Sequence, residues 1–170
     1  MEVNVIDDFL SQEDFEEVRD LIVFNWDFDW YFQKEVNGAG TDCTKDFWNW
    51  YGTHIFYKKD FPADDCHILY DKFIPRFKEM GIFRSLMRIK GNFYPHTETL
   101  KEHAPHIDYE YSHVGALYSL NTCDGFTKLY DGTKVDSVAN RILIFDASTI
   151  HNSTTTTTSA GRFNINFNFL

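Results

Sequence analysis

The 170-residue sequence contains few cysteines, and they form no recognisable pattern. Cys43, Cys66 and Cys123 are odd in number, widely spaced and without a C-x-x-C pair. This spacing argues against a disulfide framework and against a structural zinc site, and it predicts a reducing compartment.

Long apolar runs are also absent. Nowhere do eighteen apolar residues follow one another, and the first ten residues, MEVNVIDDFL, carry neither a basic region nor a long apolar stretch. The sequence therefore predicts neither a transmembrane helix nor a signal peptide. We expect a soluble, cytoplasmic protein that does not associate with membranes.

Basic residues are in the minority, and hydrolase motifs are missing. The chain has 16 Lys and Arg residues against 26 Asp and Glu residues, which gives a net charge of -10. Because such a charge repels phosphate backbones, it argues against binding of duplex nucleic acid. A G-x-S-x-G elbow is absent and no cysteine has a recognisable catalytic setting, so nucleophilic hydrolysis has little support.

Aromatic residues, in contrast, are abundant. They make up 18% of the chain, with 17 Phe and 9 Tyr, and hydrophobic residues reach 43%. This length and composition predict one packed domain over residues 1–170, and bulky flat side chains favour a sheet-based fold. The tryptophans could either cover the sheet or form a lid over a pocket; they are Trp26, Trp30, Trp48 and Trp50.

Two helices are predicted in the first half of the chain. Ser11, followed three residues later by an acid, resembles a capping box, and apolar residues then recur at helical spacing over residues 12–24. A second helix is expected from about Asp64 to Met80. It would end at Gly81, which suits a left-handed cap.

From residue 82 onward the hydrophobic period changes to two. Short β-like segments follow one another without intervening helices, which predicts an antiparallel double-sheet jelly roll. The expected fold is mainly β with flanking α-helices, a cupin-like double-stranded β-helix, with residues 1–81 as support and 82–170 as core. A run of threonines at 154–158 is expected to be an exposed loop. The predicted strand segments are 83–95, 105–110, 114–121, 125–131, 133–138, 140–146 and 162–170.

The segment 83–95 has one polar side. Arg88, Lys90, Asn92 and Tyr94 share that side, whereas the other side is apolar. The polar side could face solvent or line a barrel interior. Arg88 and Lys90 could then favour an anionic or peptide-backbone substrate, or they could simply be solvated or paired with acids.

Histidines and an acid indicate a metal site. Residues two apart on a strand point to the same side, so His106 and Asp108 can converge on one ion, and His151 could join them from a neighbouring strand. Two histidines and one carboxylate with open positions suit non-haem Fe(II). His103 and His106 form H-x-x-H, but on a strand they point to opposite sides. Since no H-E-x-x-H helix is present, a zinc hydrolase is disfavoured.

A basic residue follows the last of these histidines. Arg162 lies eleven residues after His151 and shares one side of its strand with Asn164, Asn166 and Asn168. A guanidinium that points into a protein interior needs an anion, and a carboxylate bound through two parallel hydrogen bonds is the usual solution. The site is therefore expected to take a carboxylate-bearing co-substrate.

H-I-D at 106–108, the distal His151 and R-F-N at 162–164 resemble the Fe(II)/2-oxoglutarate-dependent dioxygenases. The similarity extends to GFTKLYDG and NRILIFDASTIHNS. It is nearest to the small prolyl-hydroxylase-like type, including those encoded by marine bacteriophages, which would place a phage-encoded protein in the host cytoplasm.

The resemblance implies a role for each matched residue. His106, Asp108 and His151 would be the catalytic metal ligands, and Arg162 would bind the distal carboxylate of 2-oxoglutarate. Asn164 stands where many members have Ser or Thr. Two further contacts to 2-oxoglutarate are implied for Asn92 and Tyr94, while Ser119 stands where the prolyl-hydroxylase type often has a second tyrosine.

The resemblance also implies a reaction. With Fe(II), O₂ and 2-oxoglutarate, and ascorbate in support, the protein would hydroxylate a C–H bond of a peptidyl or small-molecule substrate and release succinate and CO₂. The alternative from another functional class is a non-catalytic cupin-like module that holds or senses a small carboxylic acid in the same pocket.

Overall fold

The structure, a computed structural model, describes residues 2–36, 48–63 and 65–170. Cys43 and the predicted first residue of the second helix, Asp64, lie outside the described residues. Cys66 and Cys123 are both free thiols. No helix among the described residues is long and apolar enough to cross a membrane.

The first half of the chain contributes both helices. In chain order it forms β1 (Asn4–Ile6), α1 (Gln12–Arg19), a π-helical turn (Asp20–Phe24), β2 (Tyr31–Gln33), β3 (Tyr51–Lys58), β4 (Phe61–Pro62) and α2 (Cys66–Glu79). Ser11 caps α1 as predicted, because its hydroxyl accepts a hydrogen bond from the Asp14 N–H at 3.2 Å. Gly81 follows α2 with a φ of 71°, the left-handed conformation expected there.

The second half forms the remaining strands. These are β5 (Leu86–Pro95), β6 (Val114–Ser119), β7 (Phe126–Leu129), β8 (Lys134–Asp136), β9 (Ile142–Asp146), β10 (His151–Asn152) and β11 (Gly161–Phe169). The prediction of a strand over 105–110 is wrong, since only His106 makes a β-bridge, to His151. Pro105 has no N–H to continue a ladder, and the strand that faces this segment is two residues long.

The strands form two antiparallel sheets. The larger sheet has the order β1-β9-β6-β11-β5-β3-β2, with β4 on the edge of β3, and the smaller sheet has the order β10-β7-β8. The fold is therefore mainly antiparallel β with two short flanking helices, arranged as a jelly roll.

The core lies between the larger sheet and the helices. Phe167 of β11 packs on Phe73 of α2, with ring centroids 4.5 Å apart, and Phe169 stacks on Phe77 at 4.8 Å. All four side chains are fully buried. A smaller apolar cluster fills part of the space between the two sheets; it consists of Leu129, Val135, Leu143, Phe145 and Ala147.

The polar side of β5 faces the interior of the jelly roll. In the register with β11, Tyr94 lies opposite Arg162, Asn92 opposite Asn164, Lys90 opposite Asn166 and Arg88 opposite Asn168. Both strands turn their apolar alternates toward the helices, as Ile89 and Phe167 show by their complete burial. Of the two interpretations of segment 83–95, the polar-lined interior is therefore confirmed.

The threonine run differs from the expected exposed loop. Thr154, Thr155 and Thr156 are fully buried, because the segment runs beside the smaller sheet. Asp124 holds the end of the run by accepting hydrogen bonds from the hydroxyl groups of Thr156 at 2.7 Å and Thr157 at 2.5 Å. The hydroxyl groups thus find partners within the protein, which removes the cost of burying them.

The tryptophans mostly cover the outer face of the sheet. Trp30 contacts Phe93 and Phe163, and Trp50 also packs against Phe93. Trp48 lies on His103, and Trp26 is fully exposed. Among the described residues, no tryptophan lines the cavity that contains the candidate metal ligands.

Candidate metal centre and adjoining pocket

The predicted metal ligands meet at one end of the jelly roll. One potential ligand atom from each of His106, Asp108 and His151 lies within 4.8 Å of the other two. The two imidazole centroids are 4.4 Å apart, and His106 Nε2 is 3.9 Å from Asp108 Oδ1. This spacing suits three ligands on one face of a single ion, with the opposite face open.

Backbone hydrogen bonds hold the three ligands together. The N–H groups of His106 and His151 each donate to the other residue's carbonyl, at 2.8 and 2.9 Å. The Asp108 N–H donates to the Ala147 carbonyl at 3.0 Å. The ligands therefore converge although segment 105–110 is not a strand.

The histidine environment favours the neutral form that binds metals. His151 Nδ1 lies 2.9 Å from the Thr149 carbonyl, which can only accept, so Nδ1 carries the proton and Nε2 is left for a metal. Burial lowers the pKa of His151. Burial and the neighbouring His151 lower the pKa of His106 to about 4.

The Asp108 carboxylate is held ionised. Burial alone would raise its pKa, but the Arg88 guanidinium, 3.0 Å from Oδ1, and the hydrogen bonds that Asp108 accepts together place the pKa well below its usual range. The side-chain amides of Asn166 and Asn168 each donate to Asp108 Oδ2 at 2.9 Å and act in the same direction. A carboxylate in this state needs no deprotonation to bind a cation.

Arg162 is fully buried at the inner end of the same region. Its Nη2 donates to Thr127 Oγ1 at 2.8 Å, and its Nε has no hydrogen-bond partner among the described residues. Burial lowers its pKa, although a guanidinium stays charged. Gly125 makes room for the side chain, since a Cβ there would lie 2.7 Å from Arg162 Cδ.

The other predicted pocket residues lie between Arg162 and the metal ligands. Asn92 Nδ2 donates to Asn164 Oδ1 at 2.9 Å. The Tyr94 ring lies 5.6 Å from the Arg162 guanidinium carbon. Ser119 pairs with Asn164 and lines a small recess beside Arg162, while its neighbour Tyr118 points into the helix-side core, so this strand adds no tyrosine to the pocket.

Two further histidines, His103 and His113, are buried near the candidate metal centre. His103 is not part of the ligand cluster of the described residues; it is buried against Tyr94, with a ring separation of 5.1 Å, and its Nδ1 lies 2.9 Å from Ser153 Oγ. Ser153 also hydrogen-bonds the Tyr94 side chain. His113 is buried and hydrogen-bonds the Tyr111 carbonyl through Nδ1 at 2.8 Å. No local pattern identifies these partners.

Arg88 and Lys90, the two cations on the interior side of β5, make different contacts. Arg88 is used internally: besides Asp108, its Nε donates to Asn168 Oδ1 at 2.9 Å. Lys90 is half-buried in the cavity wall, with its ammonium 5.7 Å from the Tyr51 ring centroid. Burial, followed by repulsion from Arg88, lowers the pKa of Lys90 to about 8.

One cavity connects these groups, and its polar lining suits a polar ligand. It measures about 490 Å³ including its open mouth, and both the metal ligands and Thr127, which contacts Arg162, line it. Buried polar groups are normally hydrogen-bonded. Here several buried polar atoms of the described residues have no such partner, and they include Arg162 Nε, Asn164 Nδ2, Asn92 Oδ1 and Asn166 Oδ1. The donor set fits a divalent metal together with a carboxylate-bearing ligand.

The chain is similar to known proteins in structure but not detectably in sequence. No protein-family model and no curated protein matches the sequence. Solved structures do match, and they show that the chain has the jelly-roll fold of the 2-oxoglutarate-dependent oxygenases.

Three of these structures illustrate the similarity. The first is a prolyl hydroxylase from Trichoplax adhaerens in complex with a hypoxia inducible factor peptide fragment (17% identity, TM-score 0.62, 98% of this chain and 83% of that chain). The second is the viral collagen prolyl hydroxylase of Paramecium Bursaria Chlorella virus-1 with 2-oxoglutarate (10% identity, TM-score 0.63, 99% of this chain and 96% of that chain). The third is HygX from Streptomyces hygroscopicus with nickel and 2-oxoglutarate (11% identity, TM-score 0.63, 98% of this chain and 81% of that chain).

Proposed function

We propose that the protein is an Fe(II)- and 2-oxoglutarate-dependent oxygenase that hydroxylates a C–H bond of a peptidyl or small-molecule substrate. The observation that carries this proposal is one cavity with a different feature at each end. One end has the open triad of His106, Asp108 and His151, and the other is lined by Thr127, which contacts the buried Arg162 with its unsatisfied Nε. A metal-chelating acid with a second carboxylate would satisfy both ends.

The residues of this chain would bind and orient the reactants. Arg162 and Thr127 would bind the distal carboxylate, and Tyr94, positioned by Ser153, would contact the same molecule. Asn164 would donate to it through its free Nδ2, and Asn92 would position Asn164 by donating its own Nδ2 to Asn164 Oδ1. When bound, Fe(II) and 2-oxoglutarate would supply the O₂-dependent oxidation of a C–H bond, with release of succinate and CO₂.

The proposed substrate class is supported by the names of the neighbours. One of them is a prolyl hydroxylase bound to a peptide, another is a collagen prolyl hydroxylase, and both share the fold of this chain. We extend this substrate class to the present protein as a proposal: the oxidised group is a C–H bond of a peptide or of a small molecule.

Turnover tests the catalytic role of the triad. Purified protein with Fe(II), ascorbate and 2-oxoglutarate should release succinate even without a prime substrate, and Asp108→Ala should abolish that release because one of three metal ligands is lost. Asp27→Ala removes an exposed acid and serves as the matched control. Wild-type succinate release no greater than that of Asp108→Ala, together with tight 2-oxoglutarate binding, would instead identify a non-catalytic binding module.

Binding tests the role of Arg162. In calorimetry with Mn(II)-loaded protein, Arg162→Ala should weaken 2-oxoglutarate binding roughly 100-fold, because bonds to a charged group are worth about 1.5–3 kcal/mol each. Arg84→Ala, at an exposed position, should bind like the wild type. Equal affinities for wild type and Arg162→Ala would refute the proposed orientation of 2-oxoglutarate.

A further inference from the structure

We propose that Lys90 binds a carboxylate group of the prime substrate beside the metal, so that the substrates of this protein are small acids or acidic segments. This inference rests on the proposed function, because it treats 2-oxoglutarate as the occupant of the Arg162 end. It names a substrate class and the residue that selects it.

Among the described residues, Lys90 is the cation that lines this cavity without an ion-pair partner. Its side chain lines the same cavity as His106 and Asp108, and its ammonium lies 5.7 Å from the ring centroid of Tyr51, another lining residue. Among residues 2–36, 48–63 and 65–170, no acid forms an ion pair with it. Removing a charge from water without a partner is costly, so a position of this kind favours an anionic ligand.

The neighbouring cation has a different use. Arg88 stands two residues earlier on the same side of β5, but its guanidinium is committed to Asp108 Oδ1 and Asn168 Oδ1. It therefore balances the metal-binding carboxylate. Lys90 forms no ion pair with Asp108, and its register neighbour Asn166 donates its amide to that carboxylate.

The charge of the site leaves room for a further anion. The described side chains around the metal and the inner pocket include three cations, Arg88, Lys90 and Arg162, and one anion, Asp108. A divalent metal and a dianionic co-substrate offset each other, so two positive charges remain. Both carboxylates of 2-oxoglutarate already have partners in the proposed arrangement, one at Arg162 and one at the metal. The remaining anion is therefore assigned to the prime substrate.

Acetate is a suitable probe because it carries the proposed group alone. The protein is loaded with Mn(II) and saturated with 2-oxoglutarate, and the paramagnetic relaxation of the carboxylate carbon of ¹³C-labelled acetate is measured. Wild-type protein should enhance this relaxation, and acetamide, a neutral molecule of similar shape, should show little effect. Equal enhancement for acetate and acetamide would overturn the proposal without the need for any variant.

Variants then assign the effect to Lys90. Lys90→Met and Lys90→Gln should each weaken acetate binding roughly tenfold, the loss expected for one charge-assisted hydrogen bond. Lys78→Met, which removes an exposed cation from α2, is the matched control and should behave like the wild type. Unchanged acetate relaxation in both Lys90 variants would refute the role of this residue.

The same relaxation measurement shows whether acetate occupies the proposed prime-substrate position or a position of 2-oxoglutarate. Raising the 2-oxoglutarate concentration tenfold above saturation should leave the acetate signal unchanged. A signal that falls would mean that acetate occupies a co-substrate position, which overturns the assignment to the prime substrate. Failure of the proposed function would appear elsewhere, as 2-oxoglutarate affinity that does not depend on Arg162.

Discussion

The Asp108 side chain is fixed in place by its neighbours before any metal binds. Two amides bond Oδ2 and a guanidinium lies beside Oδ1, so the carboxylate cannot rotate freely. A ligand that is already oriented loses less conformational entropy when it binds an ion.

This arrangement predicts a role for Asn168 in metal affinity. Asn168→Leu should weaken Mn(II) binding about 10- to 100-fold, the usual cost of losing a partner of a metal ligand. Asn164→Leu is the internal comparison, because Asn164 lies on the same side of β11 but bonds Asn92. It should leave Mn(II) affinity near the wild-type value. Mn(II) affinity is measured by electron paramagnetic resonance. An equal loss of affinity in both variants would mean that any such substitution in β11 weakens metal binding, whether or not the residue bonds Asp108.

His103 should make the metal-free protein sensitive to acid. Burial, with a smaller contribution from Arg162, lowers its pKa from 6.5 to about 3 in the folded state. Between these values the unfolded chain binds a proton that the folded protein does not, so stability falls as the pH falls from 6.5 toward 3. One such group contributes a slope of about 1.4 kcal/mol per pH unit.

His103→Gln should therefore flatten the dependence of stability on pH. Urea unfolding in the presence of a chelator, measured between pH 6.5 and the lowest pH at which the protein folds, gives the slope for each protein. His106 and His151 contribute to both slopes and cancel in the comparison. Indistinguishable slopes would show that His103 is accessible to protons in the folded state.

At the scale of elements, the threonine run connects the surface to the pocket. Asp124 anchors Thr156 and Thr157, and two residues before Thr156 the Thr154 carbonyl accepts a hydrogen bond from Arg162 Nη1 at 3.4 Å. The preceding Ser153 bonds His103. An exposed acid thus fixes a segment whose inner side contacts the proposed co-substrate residues.

Asp124→Ala should lower both stability and 2-oxoglutarate affinity. The variant loses several hydrogen bonds to a charged group, and we expect a cost on the order of 1–2 kcal/mol at this exposed position. Asp131→Ala, at the turn between β7 and β8, provides a control, because the Asp131 carboxylate bonds Thr133 within the turn and not the threonine run. Thermal unfolding and calorimetry measure the two quantities. Reduced stability with unchanged 2-oxoglutarate affinity would show that the run does not position Arg162.

The sequence predicts those features that depend on local periodicity. Alternation of period two correctly groups Arg88, Lys90, Asn92 and Tyr94, and it gives the interior side of β11, because side chains on a strand must point to opposite faces. Capping of α1 by Ser11 is equally local. The convergence of His106 and Asp108 was expected from strand alternation, but the two side chains meet His151 although the segment that carries them is not a strand.

Features that depend on distant partners could not be predicted. The burial of Thr154 to Thr156 requires hydroxyl partners that include Asp124, about thirty residues away in sequence. In the same way, Arg88 is assigned to Asp108 only when β5 and the loop after it meet in space. Sequence alone could not decide whether Arg88 or Lys90 would remain available to a ligand.

For the whole molecule, the position of β11 sets the order in which the site can form. This strand lies between β6 and β5 and is the sole link between the two halves of the larger sheet among the described strands. A chain emerging from the ribosome therefore holds β5 and β6 unjoined until residues 161–169 arrive, and closing such long loops slows folding. Arg162 enters with that same strand. The proposed ability to retain a dicarboxylate is consequently acquired only when β11 joins the two halves of the larger sheet, and a chain folded without β11 would hold the candidate metal ligands without Arg162.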